Sequence, residues 1–461
     1  MKYELRAEDI AQHAQDLKVF HERFSSFFRT STRDVSPHAL EYLKGQLLCE
    51  SRRNMSKISV EVSTMNNQAL DHFTSVSPWK DRPLIEAIAE RASQRISSDA
   101  GTRALILDES GNGKKGKRSV GVSRQYCGSL GKVDSCQIGM YLALSNSRDV
   151  TLIDRRLFLP RQWVKDTKRC DRAGIPKEER IYRTKAQIGL EMILDTKKRD
   201  VGFEFVGMDE HYGEQPWLLS RLEGEGIVYV GDVPRTTGVY LEYPEIGIPA
   251  KRGGRPARKL RVLSGESHEV QTLPSSLDWH ILRIRSTQRG ELIIRFTAMR
   301  VWRIEDDLPF LHPVWLLVRQ ELDGSDTKYS FSNAPVCTPL QVLAEWQSRR
   351  YWVERALEDA KELAGLDEYQ VLGWRGWHHH TSMVLLAMLF LLELKQDLRS
   401  KAPMFSLQDA VEILKVAMPK KQLSYEDAVD LIREHHLNRF SSRNSRLRKQ
   451  KDELKCCGFQ M

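Results

Sequence analysis

"RALILDESGNGKKGKRS", Arg103 to Ser119, admits two readings. Gly111, four residues and then Gly116-Lys117 begin the G-x-x-x-x-G-K-[ST] pattern of a phosphate-binding loop. Such a loop needs a hydroxyl after its lysine to hold Mg²⁺, and a helix whose first N–H groups face the phosphate. Arg118 stands at the hydroxyl position, and "VGVSRQYCGSLGKV", with three glycines, does not open as a helix. A nucleotide loop is excluded. What is left is a short apolar strand, "RALILD", ending in Asp108 and followed by a basic, glycine-rich segment. An acid at a strand end, beside a loop that can admit a polyanion, is a place to hold a metal.

The segments downstream set the fold class. "CQIGMYLALS" and "DVTLIDRRLFLP" have strand-like alternation, and "RTKAQIGLEMILDTKKR" is an amphipathic helix. "FEFVGMD" reads as a strand ending in Asp209, "EQPWLLSRLEGEG" as a helix stopped by glycine, and "IVYVGDVP" as another strand. Three strands, a helix, a strand, a helix and a strand is the order of an α/β, ribonuclease H-like domain. Residues 1–100 have helical spacing, as expected of a helical N-terminal DNA-binding domain or a plain helical cap. Residues 233–335 read as a β-rich insertion of hairpins, and helical pattern resumes at "TPLQVLAEWQSRRYWVERALEDAKELAG". The expected layout is therefore 1–100, a catalytic domain from 101–232 and 336–375, the insertion 233–335, and a helical C-terminal region 376–461 with a basic tail.

A chain of 461 residues is too long for one ordinary domain. Its net charge of +9 makes an acidic partner plausible. The cations cluster: Lys114, Lys115, Lys117, Arg118, Arg124 and Lys132 follow one another with no acid, as do the cations of "KRGGRPARKLR" (251–261) and "RNSRLRKQK" (443–451). Three such clusters favour a phosphate backbone over three solvated loops. The seven cysteines form no C-x-x-C pattern, which points to a reducing compartment without a zinc site. "MVLLAMLFLLEL", Met383 to Leu394, is too short to span a bilayer and contains Glu393, so it reads as a buried core helix. His378-His379-His380 read as surface and core histidines, not as a metal site. With no apolar signal core at the N-terminus, a cytoplasmic protein is expected.

Asp108 and Asp209 each end an expected strand, and Glu354 lies in the helix after the insertion. Three carboxylates from distant positions can converge on hard divalent cations, which prefer oxygen ligands. Arg350 lies one helical turn before Glu354 and Lys361 two turns after it, on the same face. Asp149, Asp154, Asp195 and Asp232 compete for the metal role but lack the combination of strand end and motif context. Glu109 and Glu210 adjoin the chosen acids, where neighbouring strand residues face opposite sides.

These residues carry a resemblance. "ILDESGNGKKGKRSVGVSRQYCGSLGKVDSCQIG", "GMDEHYG" and "RYWVERALEDAKELAGLDEYQVLGWRGWHHH" resemble a DDE transposase of bacterial insertion sequences, of the cut-and-paste group with a β-strand insertion. The resemblance spans roughly residues 35–395. The group's signature helix reads Tyr-x2-Arg-x3-Glu-x6-Lys; Arg350, Glu354 and Lys361 match, and Gln347 stands at the tyrosine position. That departure bears on the tyrosine's contact to DNA, not on the acids. The resemblance implies that Asp108, Asp209 and Glu354 are the catalytic acids, holding two Mg²⁺ ions for which Mn²⁺ substitutes. It implies that Arg350 and Lys361 hold phosphates of the transposon end, with Lys114, Lys115, Lys117, Arg118 and Arg124 along the DNA backbone. The implied partners are double-stranded DNA, as inverted-repeat ends and as target, and a second copy of the chain on that DNA. No membrane is implied; the protein would be cytoplasmic and nucleoid-associated when bound. Related transposases that form DNA hairpins stack a flipped base on a tryptophan of the insertion, for which Trp279, Trp302 and Trp315 are candidates, though each also suits the core of a small sheet. A regulator that only binds DNA, or a nuclease that cuts without joining, are the alternatives.

Overall fold

In a computed structural model of the protein, Ala104 to Leu107 are buried and begin strand β1 (Ala104–Gly113). The strand does not stop at Asp108. On one side it pairs with β3 (Lys132–Ser145) as far as Gly113↔Cys136. On the other it pairs with β5 (Phe205–Met208) only from Ala104 to Leu107. Asp108 is thus mid-strand rather than at a strand end, and is the first residue of β1 beyond the parallel pairing. Of the glycine-rich stretch after it, read as an open loop, Gly111 to Gly113 belong to β1, and past residues 114–122 a further strand, β2 (Ser123–Cys127), pairs on the far side of β3. Gly131, at φ 62°, makes the turn between β2 and β3.

The structure describes residues 3–249, 259–274, 277–287 and 290–418, and beyond these 429, 432–433, 436–437 and 439–448. Residues 251–258 of the basic cluster 251–261, residues 449–451 of the cluster 443–451, and Cys456-Cys457 lie outside the described residues. β3 is antiparallel to both β1 and β4 (Val150–Leu157), whereas β1, β5 and β6 (Tyr229–Val233) are parallel. The order is β4-β3-β1-β5-β6. Apolar runs without alternation, such as Ile138 to Leu144, fit strands covered on both faces. The helix Lys185–Lys198 lies so close to β1 that a Cβ at Gly189 would run into the Leu107 side chain.

Residues 233–335, read from the sequence as an insertion, contribute β7 (Gly238–Tyr240), β8 (Glu245–Gly247), β9 (Arg261–Ser264), β10 (Ser267–Glu269), β11 (His280–Thr287), β12 (Gly290–Glu305), β13 (Leu308–Pro309), β14 (Val314–Gln320) and β15 (Thr327–Ser332). Most of it does not form a separate sheet. β15 pairs with β6, β14 with β15 and β12 with β14, so the central sheet grows to thirteen strands. β6 would otherwise end the sheet as an exposed edge, and β15 covers it. Among the described residues β8 and β9 stand apart, as a two-stranded ribbon.

The helices of residues 7–95 and the long helix Trp374–Leu398 share one core. Phe20 meets Phe390 at 5.1 Å between ring centres, and Trp79 stacks on His379 at 3.7 Å. The Tyr42 hydroxyl is 2.8 Å from His380 Nδ1. Glu393 is ion-paired with Arg91 at 2.6 Å and Arg23 at 2.9 Å. The apolar run from Met383 is therefore a buried core helix, as its length and lone acid indicate. All three histidines are buried, and burial pushes His378, His379 and His380 down to about 3, 4 and 3. None faces solvent, which corrects the expectation of surface histidines. Among the described residues, no helix is long and apolar enough to cross a membrane.

Candidate active site

The parallel pairing of β1, β5 and β6 stops at one level. Leu107 is in register with Met208, and Met208 with Gly231. The next residue on each strand is an aspartate: Asp108, Asp209 and Asp232. Asp209 caps the turn Glu210–Gly213, its carboxylate accepting from the Tyr212 N–H at 3.4 Å. That turn packs directly on β6, where a Cβ at Gly213 would run into the carbonyl oxygen of Asp232.

Glu354 lies in the first turn of the helix Tyr351–Ala364, on its exposed side. Arg350 links it to the strands. Its Nη2 is 2.6 Å from Glu354 Oε1 and its Nε 3.3 Å from Asp232 Oδ2. Burial, then the charge of Asp209 and more weakly that of Glu354, push the Asp108 carboxyl up to about 7 against the pull of Arg350. Burial also raises Asp209, opposed by Arg350 and assisted by Glu109. Asp232 is raised by burial, opposed by a hydrogen bond from Ser330 and by Arg350. The site is rich in oxygen donors and short of positive charge, a donor set that suits a hard divalent cation. The acids are not drawn into a finished ligand shell: among the described residues no three Asp, Glu, His or Cys side chains stand in metal-ligating arrangement, and Glu354 faces Arg350.

A cleft of about 550 Å³ opens beside the row, lined by Asp209, Asp232, Arg235, Lys328 and Arg350 among others. Gln347 does not face it. Its carboxamide is buried, donating to Ser330 Oγ at 2.8 Å. Lys361 is half-buried, two turns along the helix from Glu354. Lys115, Lys117, Arg118 and Arg124 are exposed, but Lys114 is not available in the same way. Its ammonium lies 3.7 Å from the Tyr369 ring centre and 3.3 Å from the Tyr369 carbonyl oxygen, and burial holds it down to about 8. The loop is fastened by Val120 N–H to Leu372 O at 2.8 Å and by Arg169 to the Lys117 carbonyl at 2.8 Å. The element after Gly116-Lys117 is β2, not a helix, in line with the exclusion of a nucleotide loop.

A family model described as DDE superfamily endonuclease matches residues 22–291, more than half of the chain.

The chain belongs to the DDE superfamily endonucleases.

The match contains Asp108, Asp209 and Asp232, and Glu354 lies beyond it. The chain is also similar to a probable transposase for insertion sequence element IS701 of Microchaete diplosiphon, with 27% identity over 368 residues, 76% of this chain and 82% of that one. Membership in the DDE transposases of insertion sequences, read from the sequence motifs, is borne out. The NurA nuclease of Sulfolobus solfataricus aligns over 74% of this chain and all of its own at 10% identity, with a TM-score of 0.27, too low to count as a shared fold.

Within this DDE endonuclease the other competing acids have structural partners. Asp149 is paired with Lys395 and Arg399, Asp154 with Arg82, and Asp195 with Arg156. Glu109 is held by Lys185 at 2.6 Å. Asp232 is the residue that motif reasoning passed over. Its signal was present: "IVYVGD", like "FVGMD", is an apolar strand closed by an acid. The three tryptophans are half-buried, Trp302 on β12, Trp315 on β14 and Trp279 just before β11. Trp279 donates to the Pro274 carbonyl at 3.2 Å, Trp315 donates to that of Pro335 at 3.4 Å, and Trp302 packs edge-on to Tyr243.

Proposed function

We propose that this DDE endonuclease is a DNA transposase that cleaves at the ends of its insertion sequence and joins the freed 3′-hydroxyls to target DNA. One observation carries the proposal: Asp108, Asp209 and Asp232, half-buried, follow directly on the parallel pairing of β1, β5 and β6, and Arg350 links Asp232 to Glu354 on the helix that comes next. The strand order β4-β3-β1-β5-β6, antiparallel only at β3, supports a ribonuclease H-like catalytic unit built from 101–232 and 336–375. In this reading 233–335 is the β-rich insertion, 1–100 the helical DNA-binding part, and 376–461 the helical C-terminal region with its basic tail.

Asp108, Asp209 and Glu354 would hold Mg²⁺, with Mn²⁺ as a substitute. Two such ions supply positive charge to the attacking and leaving oxygens of a phosphoryl displacement. The chain's own part is to gather the acids, exclude water and hold the DNA. Burial of Asp108 beside Asp209 keeps the carboxylates poised for a cation. Arg350 and Lys361 would meet phosphates of the transposon end, and Lys115, Lys117, Arg118 and Arg124 would run along the backbone. A cytoplasmic homodimer assembled on two DNA ends would place two active sites in register.

The test is one reaction containing the protein, Mg²⁺, DNA carrying the element's inverted-repeat end, and a target plasmid. The proposal expects nicks at the end and covalent joining to the plasmid. Nicks without joined product would make the protein a nuclease, and specific binding with neither would make it a regulator.

A further inference from the structure

Asp232 has no role in the reading above, yet it is wired into the site. Its Oδ1 accepts from Ser330 Oγ at 2.6 Å, and its Oδ2 pairs with Arg350 Nε at 3.3 Å. Ser330 Oγ accepts from Gln347 Nε2 at 2.8 Å. Arg350 Nη2 reaches Glu354 Oε1 at 2.6 Å. The chain Gln347–Ser330–Asp232–Arg350–Glu354 joins β15, the last strand of the insertion, to β6 and to the helix carrying the glutamate.

The geometry of a guanidinium gives this chain a consequence. Arginine grips a carboxylate best with two parallel N–H donors. Left alone beside Glu354, Arg350 would close on it in that way and remove the glutamate from other ligands. Here the guanidinium is shared by two carboxylates as ion pairs, its Nε 3.3 Å from Asp232 Oδ2 and its Nη2 2.6 Å from Glu354 Oε1, and the charge of Asp232 competes with Glu354 for it.

We propose that Asp232 is a positioning residue: its charge holds Arg350 between β6 and the glutamate, so that Arg350 does not close on Glu354 alone and the glutamate stays available. The proposal rests on the assignment of Arg350 and Glu354 to the active site given above. It also gives Gln347 a use in place of the tyrosine's DNA contact, since its carboxamide orients the Ser330 hydroxyl that holds Asp232.

The test is a double-mutant cycle in the full chain with Asp232→Asn, Arg350→Ala and the pair. One readout is end cleavage at saturating DNA and Mg²⁺. The other is Ca²⁺ affinity of the protein–end-DNA complex by calorimetry, which needs no turnover. Asp232→Asn should slow cleavage and weaken Ca²⁺ binding by about 10- to 100-fold, the range for residues that orient a ligand. On the Arg350→Ala background it should add less than about twofold, because its effect passes through that arginine. Effects that multiply in full, or an Asp232→Asn protein with wild-type rate and Ca²⁺ affinity, overturn the proposal. Ser330→Ala repeats the cycle with the charge of Asp232 intact, and should show the same dependence on Arg350; it decides the matter if Asp232→Asn does not fold. Asp108→Asn is measured alongside. Should that variant cleave normally, the site assignment itself fails; should it be inactive while Asp232→Asn is normal, only the positioning role fails.

Discussion

In EDTA at pH 8, Asp108→Asn should make the protein harder to unfold than the wild type. Burial and the neighbouring Asp209 raise the Asp108 carboxyl from 3.8 to about 7. A carboxyl raised on folding contributes its full stability below its unfolded value, about pH 4, and loses it as pH rises through about 7. At about 1.4 kcal/mol per tenfold change, the difference between 3.8 and about 7 is worth up to about 4 kcal/mol against the native state at pH 8. Asparagine carries no charge and keeps an oxygen for the Glu109 N–H, which lies 2.7 Å from Asp108 Oδ1. The assay is urea unfolding of both proteins from pH 4 to 8.5. The variant's advantage should grow from near zero at pH 4 to its full size at pH 8, and added Mg²⁺ should shrink it by stabilising the wild type alone. A variant no more stable than the wild type at pH 8, or an advantage independent of pH, would show that Asp108 is not under this strain.

The packing of the N-terminal helices changes what a truncation can report. Removing residues 1–100 strips Phe20, Tyr42 and Trp79 from the long helix and both arginines from Glu393, so the remainder should aggregate or lose cooperative unfolding by circular dichroism; a folded, monodisperse remainder would contradict a shared core. Lys361→Ala should flatten the salt dependence of end-DNA affinity by about one counterion, whereas Lys114→Ala, covering Tyr369, should leave that slope unchanged. Equal slopes for the two variants in a fluorescence titration would reverse this distinction. Glu393→Gln should lower the thermal midpoint by weakening two ion pairs on a largely buried carboxylate, at a cost of about 1–3 kcal/mol, and an unchanged midpoint would mean these pairs do not hold the helices together.

Most of the central sheet was legible because its strands are apolar runs closed by glycine or acid, and Asp209 and Glu354 sit where such patterns place them. The continuation of β1 past Asp108 was not, because pairing with β3 on one side alone leaves no mark in the run itself. β2, only five residues long, was hidden by the glycines on either side of it, Gly121 and Gly128. The fusion of the insertion to the sheet depends on β15 finding β6, a contact across about a hundred residues that local alternation cannot reveal. Asp232 was visible as a strand-end acid, but only the parallel register of β1, β5 and β6 puts it beside Asp108 and Asp209. Lys114 looked like its neighbours in the basic run, and the ring of Tyr369 sets it apart.

The central claim is that Asp108, Asp209 and Glu354 act together on DNA. Its most direct test measures cleavage and joining by Asp108→Asn, Asp209→Asn and Glu354→Gln, with end-DNA affinity measured on the same preparations. The account predicts that each variant binds the end within a few-fold of wild type and yields neither nicked nor joined product in Mg²⁺ or Mn²⁺. Near wild-type cleavage by any one of the three would contradict it for that residue.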